Sequence, residues 1–214
     1  MGLINEKDAE QLGKLFATLP NPVKLVMFTQ QTECEFCSAT RQIVEELAIL
    51  GEKIAVEVLD FVEHKARADE LGIDKIPAIS IQGGKDLGVR FFGVPAGYEF
   101  TTLVEDIVDV ARGEPELAEG VADKLAGLSG PVHVQVAVSP TCPYCPQVVR
   151  AAHKLAMASD LVTADMLEVT EFPQLAVKYG VQGVPHTIIN EGHAVVGAIS
   201  EAQLVDEILE AVGS

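Results

Sequence analysis

The segment Cys142-Pro143-Tyr144-Cys145 follows the apolar run Val132–Val138 and precedes Gln147–Met157, whose apolar residues recur with the period of a helix. A pair of cysteines therefore stands between a predicted strand and a predicted helix. The segment Cys34-Glu35-Phe36-Cys37 has the same context, because an apolar run precedes it and Gln42–Leu50 follows it as an amphipathic helix. All four cysteines lie in these two segments, so the sequence predicts two local thiol pairs and no separate framework of structural disulfides.

The chain also contains an internal repeat. A shift of 108 residues superimposes the two cysteine pairs, Gly72 on Gly180 and Pro77 on Pro185, and it lays Val23–Gln30 on the strand before the second pair. Each repeat is predicted to run strand, helix, strand, short helix ending near the glycine, two hairpin strands and a closing helix. The expected fold class is α/β, with two tandem units at residues 1–120 and 121–214, each a small mixed sheet flanked by helices.

Other stretches carry more limited expectations. Asn5–Leu19 is predicted to form a helix before the first strand, and Glu114–Ala126 a helix that connects the two units. Phe91-Phe92 and Val94-Pro95 are apolar pairs for which packing in the core is favoured over a partner site. His186 is interpreted as an exposed strand residue rather than a substrate contact.

Composition excludes several function classes. Apolar residues make up 48% of the 214 residues, which is enough for a packed core. The 32 acidic residues against 15 Lys and Arg give a formal charge of −17, which opposes binding to nucleic acid or to an anionic membrane surface. No apolar run approaches the roughly 18 residues of a membrane span, and the N-terminal residues lack the pattern of a secretory signal. We therefore expect a cytoplasmic protein with no nucleic-acid or membrane partner.

Cysteine pairs at helix starts have a specific chemistry. The first cysteine meets unpaired backbone N–H groups and the positive end of the helix dipole, which favour its thiolate. The second cysteine lies one turn further on and can displace a mixed disulfide formed by the first. Cys34 and Cys142 are the predicted nucleophiles, and Cys37 and Cys145 are the predicted resolving thiols.

A proline follows each first cysteine by 43 residues. Ile76-Pro77 and Val184-Pro185 both stand at predicted strand starts, where proline is tolerated. A cis peptide bond at such a position would present the preceding backbone to an extended substrate. These four residues are therefore the candidate substrate-binding residues.

The strand, cysteine pair, helix and late proline together resemble the thioredoxin fold. Cys142-Pro143-Tyr144-Cys145 is similar to the active site of glutaredoxins. The tandem arrangement resembles the two-unit protein disulfide oxidoreductases of prokaryotes, whose layout is similar to that of protein disulfide isomerase. The resemblance implies that Pro77 and Pro185 are cis-prolines and that the protein reduces, forms or rearranges protein disulfides. That chemistry needs no metal or bound organic cofactor, and a thioredoxin-reductase-like protein is the expected electron donor.

Other functions remain open for the same residues. The nearest alternative is an electron-transfer module between a flavin reductase and a peroxidase or another thiol protein. A zinc site with four sulfur ligands is a second alternative, although each cysteine pair begins a helix in its own repeat. Iron–sulfur binding at the second pair and a non-catalytic interaction scaffold are the remaining alternatives.

Overall fold

The computed structural model describes residues 2–213, and within them eight strands form one mixed sheet flanked by eight helices. The strands are β1 (Val23–Thr29), β2 (Ile54–Asp60), β3 (Ala78–Gln82), β4 (Asp86–Phe92), β5 (Val132–Val138), β6 (Val162–Glu168), β7 (His186–Ile189) and β8 (His193–Val196). The helices are α1 (Glu6–Phe16), α2 (Cys37–Leu50), α3 (Lys65–Glu70), α4 (Glu99–Arg112), α5 (Val121–Leu125), α6 (Cys145–Ala158), α7 (Pro173–Lys178) and α8 (Glu201–Gly213). None of the helices in this range is long and apolar enough to cross a membrane.

The two halves of the chain have the same strand topology. In the first half, β1 pairs parallel with β2 and antiparallel with β3, which pairs antiparallel with β4. In the second half, β5 pairs parallel with β6 and antiparallel with β7, which pairs antiparallel with β8. The predicted order of strands and helices within each unit is therefore confirmed.

A strand pair joins the two halves into a continuous sheet. β4 and β6 run parallel, with Val89 opposite Ala164 and Phe92 opposite Leu167, and the strand order is β2-β1-β3-β4-β6-β5-β7-β8. The sequence predicts two small sheets and does not predict this pairing. The reason is that buried edge strands such as β4 and β6 carry the same apolar pattern whether or not another strand covers their edge.

Both faces of the sheet are covered. On one face, α2, α4, α6 and α8 pack their apolar sides into one core that runs through both units. On the other face, α3 and α7 cover a smaller apolar cluster around Phe28 and Phe92. The predicted packing of Phe91 and Phe92 in the core is confirmed, because both side chains are fully buried, and Val94 is also buried.

The repeat contains one extra residue in its first copy. α2 and α6 are 108 residues apart, as are β2 and β6, but β1 and β5 are 109 residues apart. The predicted superposition of Val23–Gln30 on the second unit's strand is therefore wrong by one residue. The loop between β1 and Cys34 is one residue longer than its counterpart, and Glu33 in that loop has a φ of 58°.

Two local expectations also fail. The predicted connecting helix Glu114–Ala126 is reduced to α5, because Gly120 adopts the left-handed conformation immediately before Val121. His186 is buried rather than exposed, because β7 lies between β5 and β8 and all four of its residues are covered. The helix predicted over Asn5–Leu19 is confirmed as α1, which begins after Asn5 because the Asn5 side chain accepts a hydrogen bond from the Asp8 N–H.

Candidate active sites

The first cysteine pair lies at the start of α2. Cys37 is the first residue of the helix and is 3% exposed, whereas Cys34 precedes the helix and is partly exposed. The two residues form a disulfide with a Cα–Cα distance of 5.4 Å. A cavity of about 420 Å³ is lined by both cysteines. Its other lining residues are Thr29, Gln30, Gln31, Ser38, Arg41, Val58 and Asp60.

The second cysteine pair has the same position on α6. Cys145 begins the helix and is fully buried, and Cys142 is 7% exposed before it. They also form a disulfide, with a Cα–Cα distance of 5.6 Å. Tyr144 between them is 64% exposed. In both pairs the first cysteine is the more exposed one, as expected for a nucleophile and a resolving thiol.

Both predicted cis-prolines have cis peptide bonds, at Ile76–Pro77 and Val184–Pro185. In the second unit, the Sγ atom of Cys142 lies 3.7 Å from the carbonyl oxygen of Val184. The backbone before Pro185 therefore lies directly beside the second disulfide. In the first unit, Ala78 after the cis bond pairs with Phe28, near the end of the strand that leads to Cys34.

The two centres lie at the same edge of the sheet. They follow β1 and β5, which are separated by β3, β4 and β6. Four strand spacings at about 4.8 Å each place the ends of these two strands about 19 Å apart. The loop after β4 contacts residues beside both centres. Its Gly93 N–H donates to Pro77 O at 2.9 Å, and its Tyr98 N–H donates to Pro140 O at 3.2 Å, two residues before Cys142.

Known proteins share this arrangement. The Thioredoxin domain model matches residues 132–210. A protein disulfide oxidoreductase from Aeropyrum pernix K1 superposes with a TM-score of 0.90 at 28% identity, covering 98% of this chain and 94% of that chain. The chain has the tandem thioredoxin fold. A second structure, the N-terminal domain of the alkylhydroperoxide reductase AhpF from Enterococcus faecalis, superposes with a TM-score of 0.88 at 26% identity, covering 96% of this chain and 99% of that chain.

A curated relative is much longer than this chain. The NADH dehydrogenase of Bacillus subtilis is 28% identical over 173 residues, which are 80% of this chain and 31% of that protein. The matched part of this chain therefore corresponds to less than a third of that relative.

Two glutamates near the centres, Glu99 buried and Glu171 half-buried, were not identified from the sequence. Glu99, at the start of α4, is 1% exposed, and burial raises its pKa to about 7 although the Thr102 hydroxyl donates to it at 2.7 Å. Burial likewise raises the pKa of Glu171 to about 7, and the charges of Glu168 and Glu35 add to this effect. No motif marks these glutamates, because 32 acidic residues are spread along the chain and burial depends on the junction between units.

A charged network fixes the helix of the second centre to the first unit. On α6, Arg150 bonds to Asp106 and Asp109 of α4, and His153 Nδ1 lies 2.6 Å from Asp106 Oδ2. The imidazole of His153 also packs edge-on against Phe91, with ring centroids 5.0 Å apart. Asp106 and His153 are both fully buried. Because a buried ion that loses its partner is strongly destabilising, this network resists displacement of α6 from α4.

The metal alternatives have a poor geometric basis. The four cysteines form two disulfides at the ends of two different strands rather than one set of four ligands. Across residues 2–213, no group of three or more His, Cys, Asp and Glu side chains has the arrangement needed to hold a metal ion.

Proposed function

We propose that this protein is a thiol–disulfide oxidoreductase that acts on protein disulfides through two dithiol centres. The observation that carries the proposal is the combination, present twice, of a cysteine pair at a helix start and a cis-proline. The likeness to the protein disulfide oxidoreductase of Aeropyrum pernix supports it. The proposed substrates are protein disulfides and dithiols, and the proposed electron donor is a thioredoxin-reductase-like protein. We also propose that it works in the cytoplasm, where disulfide-reducing systems operate.

The proposed reaction uses Cys34 and Cys142 as nucleophiles. The thiolate of Cys142 attacks one sulfur of a substrate disulfide, and the other substrate sulfur leaves as a thiolate. Cys145 then loses its proton and attacks the sulfur of Cys142, which releases the second substrate thiolate and forms the Cys142–Cys145 disulfide. The substrate gains two electrons, and the centre must regain two electrons from its donor. Cys34 and Cys37 carry out the same steps at the first centre.

We assign substrate binding to the cis-proline loops. Val184 O faces the sulfur of Cys142 at 3.7 Å, so an extended peptide bound along this backbone would bring its own sulfur to the nucleophile. Ile76 and Pro77 have the equivalent role at the first centre.

We also propose that the units divide between residues 120 and 121. In support, Lys124 of α5 forms a salt bridge with Asp206 of α8, so α5 contacts the second unit.

Trapping experiments test the assignment. Cys145→Ser should leave a mixed disulfide at Cys142, and Cys37→Ser should leave one at Cys34, because neither substrate can be released without the resolving thiol. Mass spectrometry of the adducts formed with a protein disulfide would locate them. The matched control is Cys142→Ser/Cys145→Ser, which removes the second centre and keeps the first. If the variant with all four cysteines changed to serine reduced disulfides as well as the wild type, the assignment would be wrong.

A second candidate function is an electron-transfer module between a flavin reductase and a peroxidase. The likeness to the N-terminal domain of AhpF favours it, as does the short share of the Bacillus subtilis NADH dehydrogenase that this chain matches. Two assays separate the functions. A general oxidoreductase reduces varied protein disulfides with dithiothreitol as donor. A dedicated module is slow in that assay and restores peroxide reduction when added to a flavin reductase and a thiol peroxidase.

A further inference from the structure

The carboxyl group of Glu171 extends from the second unit to the first. Glu171 follows β6, and its Oε1 accepts a hydrogen bond from the Val94 N–H at 2.6 Å. Its Oε2 is buried and has no hydrogen-bond partner within the described part of the chain. One carboxyl oxygen is therefore bound by the first unit. The other oxygen is buried away from water without a hydrogen-bond donor.

This contact lies next to the cis-proline of the first centre. Gly93, immediately before Val94, donates its N–H to Pro77 O at 2.9 Å. A Cβ on Gly93 would lie 3.0 Å from Glu171 Oε1 and 2.7 Å from the Cβ of Glu168. The absence of a side chain at Gly93, whose φ is 93°, thus allows both glutamates to pack against the loop that contacts Pro77.

Two other carboxylates act electrostatically on Glu171. Glu168, on its own segment, accepts the Glu171 N–H at 2.9 Å, and Glu35 belongs to the first cysteine pair. Both carboxylates raise the pKa of Glu171 in addition to the effect of burial, while the Val94 N–H lowers it. The charge of Glu171 is thus coupled to Glu35, the residue that directly follows the predicted nucleophile.

We propose that Glu171 is an electrostatic positioning residue of the first dithiol centre, contributed by the second unit, and that its negative charge limits the thiolate fraction of Cys34. The proposal rests on the proposed function, because it concerns the nucleophile assigned there. A carboxylate disfavours a nearby thiolate, and a protonated carboxyl group does not. The charge of Glu171 therefore lowers the thiolate fraction of Cys34 above pH 7, where Glu171 is charged, more than it does below pH 7.

The experiment measures ionisation of Cys34 rather than turnover. In the full chain with Cys142→Ser and Cys145→Ser, the reduced protein is treated with iodoacetamide between pH 5.5 and 9, and alkylated Cys34 is counted by mass spectrometry. Removing one nearby carboxylate charge from a largely solvent-screened thiol lowers the thiol midpoint by about half a pH unit. For a thiol of ordinary pKa, about 8.5, Cys34 should therefore be alkylated about twofold faster in Glu171→Gln than in its parent at pH 8, and about equally fast at pH 6.

The pH dependence separates charge from a structural disturbance. A change in packing would alter the alkylation rate by the same factor at every pH, and that result would overturn the proposal. Glu63→Gln is the matched control, because Glu63 occupies the equivalent position in the first repeat, where its N–H donates to Asp60, but its side chain is exposed. It should change the rate little at any pH, and an effect equal to that of Glu171→Gln would also overturn the proposal.

A reciprocal measurement tests the same coupling if the Glu171→Gln variant folds poorly. NMR titration of the Glu171 carboxyl carbon in the otherwise unchanged chain should show a lower midpoint in Glu35→Gln, and an unchanged midpoint would refute the coupling. Failure of the proposed function has a different signature. Cys34 would then trap no substrate in the Cys37→Ser variant, although its alkylation would still depend on Glu171.

Discussion

Gly97→Ala should damage the second centre from within the first unit. Gly97 has a φ of 60°, and an added Cβ would overlap the carbonyl oxygen of Pro140 and lie 2.9 Å from its carbonyl carbon. Pro140 O is the acceptor of the Tyr98 N–H, and it lies in the loop that leads to Cys142. The substitution therefore has two costs, one from the left-handed backbone and one from displacement of this loop.

Each cost has a known scale. A left-handed conformation costs a residue with a Cβ about 1 kcal/mol relative to glycine. Loss of the Tyr98–Pro140 hydrogen bond adds about 1 kcal/mol, and forcing Pro140 away adds at least about 1 kcal/mol. Gly97→Ala should therefore lower the free energy of unfolding by about 3 kcal/mol, as measured by urea denaturation followed by circular dichroism.

Gly113→Ala is the matched control. Gly113 has a φ of 84°, and apart from its two chain neighbours no described residue has an atom within 4 Å of the position of its Cβ. This control should lose only the backbone cost of about 1 kcal/mol. In single-centre variants, Gly97→Ala should also slow substrate trapping at Cys142 and leave trapping at Cys34 nearly unchanged. If Gly97→Ala were no more destabilising than Gly113→Ala, the expected energetic cost of displacing Pro140 would be refuted.

Three further predictions follow from the sites. Pro185→Ala should slow disulfide reduction at the second centre several-fold without changing helix content, and unchanged turnover would reduce Pro185 to a structural strand start. Cys142 should have a lower thiol pKa than Cys34, because the first pair contains Glu35; alkylation rates against pH in single-centre variants test the order, and Glu35→Gln should narrow the difference by about half a unit. Glu99→Gln should stabilise the fold at pH 8 but not at pH 4: a carboxyl whose folded pKa is raised from 4.5 to about 7 loses stability as pH rises through that window, by about 2 to 3 kcal/mol in total. Urea midpoints of the wild type and of Glu99→Gln would be measured at both pH values. Equal shifts of the two midpoints between pH 4 and pH 8 would contradict the prediction.

The parts of the fold that depend on local pattern could be predicted from the sequence. Each cysteine pair lies between a strand and a helix, and short-range periodicity determines both elements, as in Val132–Val138 and Gln147–Met157. The shared spacing to Cys34 and Cys142 singled out Pro77 and Pro185, and the resemblance to the thioredoxin fold implied their cis peptide bonds. These features repeat twice in the chain, and the repetition distinguished them from chance.

The parts that depend on packing between units could not be predicted. The strands β4 and β6 pair through backbone groups, which every residue has. No side-chain pattern therefore predicts the continuous sheet. The same junction buries Glu99 and partly buries Glu171, and nothing in the neighbouring residues distinguishes them from exposed glutamates. The one-residue insertion before Cys34 was also hidden, because apolar residues occupy both faces of β1 and tolerate either alignment.

The continuous sheet also determines how the two centres can work together. Thiol–disulfide exchange requires the attacking sulfur to reach its target within bonding distance. The strands that lead to the two centres are about 19 Å apart at one edge of the sheet. The pairing of β4 with β6 and the buried bonds of Arg150 and His153 to Asp106 oppose any movement that would bring them together. In this conformation we therefore expect each centre to exchange electrons with sulfur atoms of partner proteins rather than directly with the other centre.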